Sequence, residues 1–446
     1  MSPPLATVVI VNWNGAHLLP ACLDALAKQD VPFAFDTWVV DNASKDDSVE
    51  LLTSRYPSVR VLSAPGNLGF AGGNNFALRE VTTPYAVLLN NDAVPEPDWL
   101  RNLLAPFQES TGAALGLGAV TGKVLFLPSF ARLSLATEGF VPGLHDSREL
   151  GVRISSLRVD GEEMLPAVLW ERLTYGAEGP PDGRFFWTRP SGELLIPVAR
   201  ERPATRLRVE LTWSAERSKP VTLSWPGGSV ALTVGAEPTT VKAELPAELP
   251  LVDVVNNAGG VVLAAGYGAD RAYQQVDDGV VDEAVEVFTA CGNGMAMRTS
   301  LGHQLGWFDD DFFLYYEDTD LSWRMRAAGW TVRYVPAAVA EHLHAASSGV
   351  DSPVFRYYNT RNSLIVVTRH APKAVAARSL VRQSLGLVRA VLRAPTAAPT
   401  RARARGLCAH LVRLPRTLGV RRRVWHSAEV SRAGVAAYVG RDEDAS

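Results

Sequence analysis

The chain has 446 residues, 47% hydrophobic and 20% charged, with a net charge of −3, an ordinary globular composition with room for two or three domains. Its three cysteines, Cys22, Cys291 and Cys408, have no paired spacing, which speaks against a disulfide framework or a zinc site and fits a reducing compartment. The apolar run at residues 8–11 is too short for a signal peptide, and no stretch reaches the roughly 18 uncharged apolar residues of a membrane span, so the expectation is a cytoplasmic protein, soluble or peripheral.

The first third alternates strand and helix patterns. Residues 7–11 (TVVIV) read as a buried strand, and 17–28 as a helix with Leu18, Leu19, Cys22, Leu23 and Leu26 on one face. Strands follow at 37–40, 59–62 and 85–89, with helices at 49–56 and roughly 73–80. Strands separated by helices imply parallel pairing with right-handed crossovers, and ligands of such sheets sit beyond the carboxyl ends of the strands. The polar residues gather at those ends. Asn12, Trp13 and Asn14 follow the first strand, Asp41 and Asn42 the second, PGNLGFAGGNN (65–75) the third, and Asn90, Asn91 and Asp92 the fourth.

Each of these has a plainer role to weigh. Asp41-Asn42 alone caps a turn equally well. The glycine segment is neither a P-loop nor a dinucleotide fingerprint, but its glycines would bring backbone N–H groups to a helix start, where a diphosphate is well held. Pro95, Pro97 and Asp98 supply the start signal of the next helix. That leaves Asp92 free to hold, with diphosphate oxygens, a hard divalent cation.

Residues 128–254 interrupt this pattern. They are rich in Pro and Gly and carry alternating stretches at 207–213, 221–225 and 230–234, which predict an all-β sandwich or barrel. The tryptophans Trp170, Trp187, Trp213 and Trp225 fit its core better than a carbohydrate-stacking surface. The α/β pattern then resumes. In 292–320 (GNGMAMRTSLGHQLGWFDDDFFLYYEDTD) and the helix that follows, Asp318, Leu321, Met325 and Ala328 share one face. Glu317, Asp318 and Asp320 favour a helix N-terminus electrostatically, but that does not explain why one acid lies on the apolar stripe. A short strand then ends at His342 and His344, which period two sends to the same side. A histidine there is more often structural than a ligand.

The tail is polarised. Residues 352–428 hold 16 Lys and Arg and no Asp or Glu, leaving 28 basic against 47 acidic residues elsewhere; such a segment seeks an anionic surface, membrane or nucleic acid. Within 376–393, Arg378, Arg382, Arg389 and Arg393 fall inside an arc of about 60°. Leu380, Val381, Leu385, Leu387, Val388, Val391 and Leu392 cover the other side. This is an interfacial helix pattern, and RARAR and RRR extend it to a polybasic patch over residues 376–423 suited to anionic lipid. The alternative is a helix packed on the protein with its basic side solvated.

VVIVNWNG, VVDNASKD, GNLGFAGGNN and LLNNDAVPEPDWL, in that order and spacing, resemble the nucleotide-sugar half of family 2 glycosyltransferases. The subgroup is the rhamnosyltransferase-like and galactofuranosyltransferase-like enzymes of bacterial cell-surface polysaccharides. The resemblance implies an α/β GT-A fold, a Rossmann-like mixed sheet. Residues 1–127 would be the nucleotide-sugar half, 128–254 an inserted β module, 255–372 the acceptor and catalytic half, and 373–446 a basic helical tail. It implies that Asn12, Asn14, Asp41, Asn67, Gly69, Asn74, Asn91 and Asp92 line the donor, and that Gly292, Asn293, Gly294, Trp307 and Glu317 face the acceptor. Asp318 would be the base of an inverting displacement, and Asp92 and His342, with His344 as the alternative to His342, would hold Mg²⁺ or Mn²⁺.

The donor implied is dTDP-rhamnose or a UDP-sugar such as UDP-galactofuranose. The acceptor is a cell-envelope glycan or lipid-linked sugar, met on the inner face of the plasma membrane. Asn90 stands where the family's metal motif has an Asp. That departure motivates a second reading, a catalytically weak or inactive relative that serves as a sugar- or nucleotide-binding scaffold through its β module.

Overall fold

The computed structural model describes residues 3–109, 116–143, 146–165, 167–169, 173–179, 183–198, 207–343 and 352–440. The chain divides into two compact units, residues 1–127 with 255–446, and 128–254.

The first unit is built on a ten-stranded mixed sheet. Its strands are β1 (Ala6–Asn12), β2 (Phe35–Asp41), β3 (Arg60–Ser63), β4 (Tyr85–Leu88), β5 (Ala93–Pro95) and β6 (Leu117–Phe126). From the second half of the chain come β7 (Val255–Asn257), a separate hairpin of β8 (Gly260–Val262) and β9 (Gly268–Asp270), then β10 (Glu286–Val287), β11 (Met295–Arg298) and β12 (Thr331–His342). The order across the sheet is β10-β12-β6-β11-β4-β1-β2-β3. The β4-β1-β2-β3 half is parallel. β11 runs antiparallel between β4 and β6, and β12 lies parallel to β6.

The helices of the N-terminal half are α1 (Leu19–Leu26), α2 (Ser48–Arg55), α3 (Gly69–Leu78) and α4 (Trp99–Gln108). Parallel strands must be covered on both faces, and β1 shows it residue by residue. Val8 and Ile10 pack with Leu19, Leu23, Trp99 and Leu103 of α1 and α4, while Val9 packs with Ala71, Ala77 and Leu78 of α3. α1 starts two residues later than its periodicity predicts, with Pro20 in its first turn, where a missing N–H costs nothing. α3 starts four residues earlier than predicted, inside the glycine segment.

The second unit is a β-sandwich. A six-stranded and a five-stranded antiparallel sheet share one core, with Leu133, Leu194, Ile196 and Leu223 from one and Ile154, Leu157, Leu211 and Trp213 from the other. Trp213 is wholly buried there; Trp187 and Trp225 are partly buried; Trp170 lies outside the described residues.

The C-terminal half of the first unit adds α5 (Thr299–Leu305), α6 (Glu317–Ala327), α7 (Pro353–His370), α8 (Lys373–Arg393), α9 (Ala398–His426) and α10 (Arg432–Ala436). α7 organises what precedes it. Phe313, Tyr315 and Tyr316, just before α6, all have positive φ (62°, 69° and 71°), a conformation costing about 1–3 kcal/mol for each such side chain. Asn362 of α7 offsets this by donating from Nδ2 to the carbonyls of Phe312 (3.0 Å), Leu314 (2.8 Å) and Tyr315 (2.8 Å). Arg361 holds Asn362 in turn, from Nε to Oδ1 at 2.7 Å.

One turn into α6, Asp320 is fully buried and accepts from Arg324 (2.8 Å), Arg369 (3.0 Å) and His370 (2.8 Å). Burial alone would raise its pKa, but the Arg369 and Arg324 charges and the His370 hydrogen bond outweigh it and hold the carboxyl well below its ordinary value. This cluster ties α6 to α7.

Asp320→Asn leaves two buried guanidinium groups facing a neutral amide, and guanidinium denaturation at pH 7 is expected to show a loss of about 3–5 kcal/mol. Because the folded pKa is depressed, the stabilisation is present above the unfolded carboxylate pKa of about 4 and is lost as pH falls through the folded value. Wild type and variant therefore converge in acid; a gap that stayed constant with pH would show that Asp320 works by shape alone.

Candidate functional site

The carboxyl ends of β1, β2 and β4 meet the loops before β11 and α6 on one rim, and strand register explains why. β5 pairs antiparallel with the end of β12, so that His342 stands opposite Ala93, one residue from Asp92. The Leu343 N–H donates to the Asp92 carbonyl at 3.2 Å, and His342 Nε2 lies 3.1 Å from Asp92 Oδ1, both side chains largely buried. On its other side, His342 Nδ1 meets Asn256 Oδ1 at 3.2 Å. With Asn256 presenting its oxygen to Nδ1, Nε2 is the ring nitrogen that faces the carboxylate, as a donor to it or as a fellow ligand with it.

β11 pairs with β4, Met295 opposite Leu88, which lays Gly292, Asn293 and Gly294 beside Asn90 and Asn91. Asn293 Oδ1 accepts from the Asn90 N–H at 3.4 Å, while its Nδ2 is buried without a hydrogen-bond partner among the described residues. Asn91 Nδ2 donates to Asn12 Oδ1 at 2.8 Å. Gly15 is required at this point, since a Cβ there would lie 2.4 Å from Asn91 Nδ2 and 2.5 Å from Asn12 Oδ1.

The first two loops brace one another through Ser44. Its Oγ accepts from Asn12 Nδ2 (3.3 Å) and the Asn14 N–H (3.0 Å), and its N–H donates to Asp41 Oδ1 (3.3 Å). Asn14 sits at φ 53°, with Oδ1 accepting from the Lys45 N–H at 2.7 Å.

The three acids at the start of α6 divide their roles. Asp320 belongs to the buried cluster. Glu317 is buried, with Oε2 unpartnered among the described residues, and desolvation together with the Asp318 charge pushes its carboxyl well above the ordinary value. Asp318 is half-buried and accepts from the Thr319 N–H at 2.6 Å and from the Thr319 hydroxyl at 3.2 Å. Desolvation still raises its pKa. Asp318 is thus the oriented, solvent-reachable carboxylate of the set.

Sequence reasoning missed Asp270, at the end of β9. Asn257 Nδ2 donates to its Oδ1 at 2.5 Å. Desolvation and the nearby Asp318 charge push its carboxyl up to about 6 against the Asn257 hydrogen bond, although the residue as a whole is exposed at the strand end. The signal was an acid at the end of a short, glycine-flanked strand, too common a pattern to single out. Asn256 was missed too, since only tertiary pairing brings it to His342.

Several expected residues do not present themselves to a ligand. The start of α3 offers no anion cradle: the Leu68 and Gly69 N–H groups donate to Asn42 Oδ1 and Asn67 Oδ1, and those of Phe70 and Ala71 to the Phe313 carbonyl. Its glycines serve close approach instead; at Gly69 (φ +70°) a Cβ would lie 2.3 Å from the Phe313 oxygen. Asn67 therefore braces its own loop. Asn74 is 2% exposed, with Nδ2 returned to the Phe70 carbonyl at 2.9 Å. Trp307 is in the core, 4% exposed, its ring packed under Gly302 and its Nε1 donating to His303; it is not an acceptor surface. His344 lies outside the described residues. Among the described residues, no group of three or more His, Cys, Asp and Glu side chains is placed to hold a metal.

Two family models match the chain: Glycosyl transferase family 2 over residues 7–140 and Glycosyltransferase like family 2 over 249–360. Together they cover more than half of it. The first takes in Asn12, Asp41 and Asp92, the second Asn293, Asp318 and His342. Among curated proteins, an N-acetylglucosaminyl-diphospho-decaprenol L-rhamnosyltransferase of Mycobacterium tuberculosis is 43% identical over 60 residues, 14% of this chain and 20% of that protein. Glycosyltransferase AglE of Haloferax volcanii is 26% identical over 127 residues, 28% of this chain and 40% of that protein. The chain thus matches well under half the length of these relatives. Among solved structures, GalNAc-T7 with UDP, GalNAc and Mn²⁺ aligns with 93% of this chain and 57% of that one, at 11% identity and a TM-score of 0.45. With both halves of the site inside family matches that together span more than half of its length, the chain belongs to the family 2 glycosyltransferases.

Proposed function

We propose that the chain transfers a sugar from a nucleotide-diphospho-sugar to a hydroxyl acceptor in a single inverting displacement, with Asp318 as base. The observation that carries this reading is the meeting of Asp92 with His342 on the rim that also holds Asp318 and the orphaned Asn293 amide. The residues fit a divalent cation. A carboxylate and an imidazole face one another, and a hard cation completes its shell with substrate phosphate oxygens and water. Asp92 and His342 would hold Mg²⁺ or Mn²⁺, the imidazole favouring Mn²⁺, and Asn256 would orient the His342 ring. Such a cation supplies charge neutralisation for the departing nucleotide diphosphate.

The rest is the work of side chains. Asn12, Asn14 and Asp41 form the braced floor for the nucleoside end, and Asn91 lies toward the sugar diphosphate. Asn293 Nδ2 donates to a substrate oxygen. The acceptor hydroxyl gives its proton to the Asp318 carboxylate as its oxygen forms the new bond to the anomeric carbon and the diphosphate leaves. Asp318 suits this better than Asp270 because the Thr319 N–H and hydroxyl both aim it, and better than Glu317, which is more deeply buried. The rhamnosyltransferase relative, by its name, acts on a lipid-diphosphate sugar; by likeness we take dTDP-rhamnose or a UDP-sugar as donor and a lipid-linked or envelope glycan as acceptor. Thermal stabilisation by a panel of dTDP- and UDP-sugars with Mn²⁺ tests the donor.

Asp318→Asn is expected to lower transfer by about 10²–10⁴-fold while Mn²⁺-dependent nucleotide binding persists, with Asp270→Asn losing less. Transfer at the wild-type rate in the Asp318 variant would remove it as the base. Asp92→Ala is expected to abolish the Mn²⁺ dependence of nucleotide binding in calorimetric titrations; matching isotherms with and without the metal in wild type and variant would refute the cation site. Because desolvation raises the Asp318 pKa, the base is lost by protonation above the ordinary aspartate range. The transfer rate should fall as pH drops through that raised value, and an acid limb at or below about 3.9 would contradict it.

A further inference from the structure

α8 packs with an unexpected side inward. It buries Val375, Ser379 and Gln383, and Gln383 Nε2 donates to Ser363 Oγ of α7 at 3.4 Å. That choice turns its aliphatic strip outward: Leu380, Val381, Leu385, Val388, Val391 and Leu392 are 36–80% exposed. A helix packed for stability alone would bury its Leu and Val and expose its Ser and Gln. The strip runs along most of a helix about 30 Å long, bordered by Arg378, Arg382, Arg389 and Arg393 on the adjoining arc. Contiguous exposed apolar surface of this kind marks an interaction site.

Charge selects the occupant. Residues 352–428 carry 16 Lys and Arg and no acid, and an aliphatic strip edged by arginines matches a layer that is apolar inside and anionic at its surface. Nucleic acid would meet the cations but leave the aliphatic strip unused. A second copy of the helix would set two arginine rows against each other. Among the described residues no helix is long and apolar enough to cross a membrane.

Position links the strip to the cleft. The Arg382 guanidinium stacks on Tyr267 at 3.9 Å, in the turn between β8 and β9, whose end is Asp270. Gly268 in the same turn lies against α6, where an added Cβ would be 3.1 Å from Thr319 Oγ1 and 3.6 Å from the Tyr316 ring. The charges of Asp318 and Arg382 both act on the Tyr316 phenol.

We infer that α8 docks the chain on an anionic bilayer surface, with the Asp318 side of the cleft held at the headgroup layer where a membrane-bound acceptor arrives. The clause about the acceptor rests on the transferase reading; the docking does not. The test is co-sedimentation of the full chain with vesicles of phosphatidylcholine alone or mixed with phosphatidylglycerol. The wild type should sediment with the mixed vesicles and be released by salt. Val388→Glu with Leu392→Glu should cut the bound fraction about tenfold, with unchanged melting temperature and unchanged donor hydrolysis without vesicles. Should the glutamates unfold the chain, Arg389→Ser with Arg393→Ser decides, losing most of the binding to mixed vesicles. Undiminished sedimentation of the folded variant overturns the docking, as does a wild-type dimer in light scattering that the variant breaks. Vesicle binding as stated, with no nucleotide sugar hydrolysed or transferred by the wild type, would sink the transferase reading and leave the docking standing.

Discussion

The pairing of β5 with the end of β12 is the constraint on which the site depends. Three residues after Asp92 return the chain to the sheet edge, and the antiparallel register places His342 opposite Ala93. A slip of one residue would send His342 to the other face. The carboxylate and the imidazole are 250 positions apart in the chain, so their approach within 3.1 Å is held only by main-chain hydrogen bonds and the covered sheet behind them. The same logic joins β11 to β4, which delivers Asn293 to Asn90. The antiparallel strand inserted into a parallel sheet is therefore what joins the two halves of the rim into one cleft.

A second layer of constraint comes from behind. The backbone before α6 turns through three aromatic residues with positive φ, which a free loop would not hold. Asn362, Arg361 and the Asp320 cluster fix it from α7, and the Phe313 carbonyl fixes the start of α3 from the other side. One strained turn thus connects the donor loops, the candidate base and the C-terminal helices. Its interior is expensive in desolvation, and it is compensated by charge pairing rather than by apolar packing. Such a design trades stability for the fixed orientation that Asp318 needs.

The two exposed faces of the molecule's chemistry, cleft and α8 strip, are adjacent through Tyr267 and Arg382. Proximity of this kind matters for an enzyme whose acceptor is confined to a surface, because docking then replaces a three-dimensional search by a two-dimensional one and limits the approach angle. The arginine row and the aliphatic strip act at different ranges. In the docking inferred for α8, the charges would draw the chain toward anionic lipid, and the apolar strip would hold it there once desolvated.

Sequence alone fixed the alternation of buried strands and helices, the gathering of polar residues at strand ends, the β-rich character of residues 128–254 and the amphipathic tail, because each is written in local periodicity. It also marked Asp92 as an acid that the next helix start does not need and Asp318 as an acid on an apolar stripe, while His342 was singled out only by the family resemblance. Tertiary structure decided which polar atoms remain available. Asn67 and Asn74 spend theirs inside the donor loop, Trp307 fills the core, and the N–H groups at the start of α3 are taken by Asn42, Asn67 and Phe313. Asp270 and Asn256 come near Asp318 and His342 only through the β8–β9 hairpin and the pairing of distant strands, and α8 turns its aliphatic side outward while Gln383 meets Ser363 of α7. Periodicity reports which residues share a face; hydrogen-bond partners distant in sequence determine what that face has left to offer.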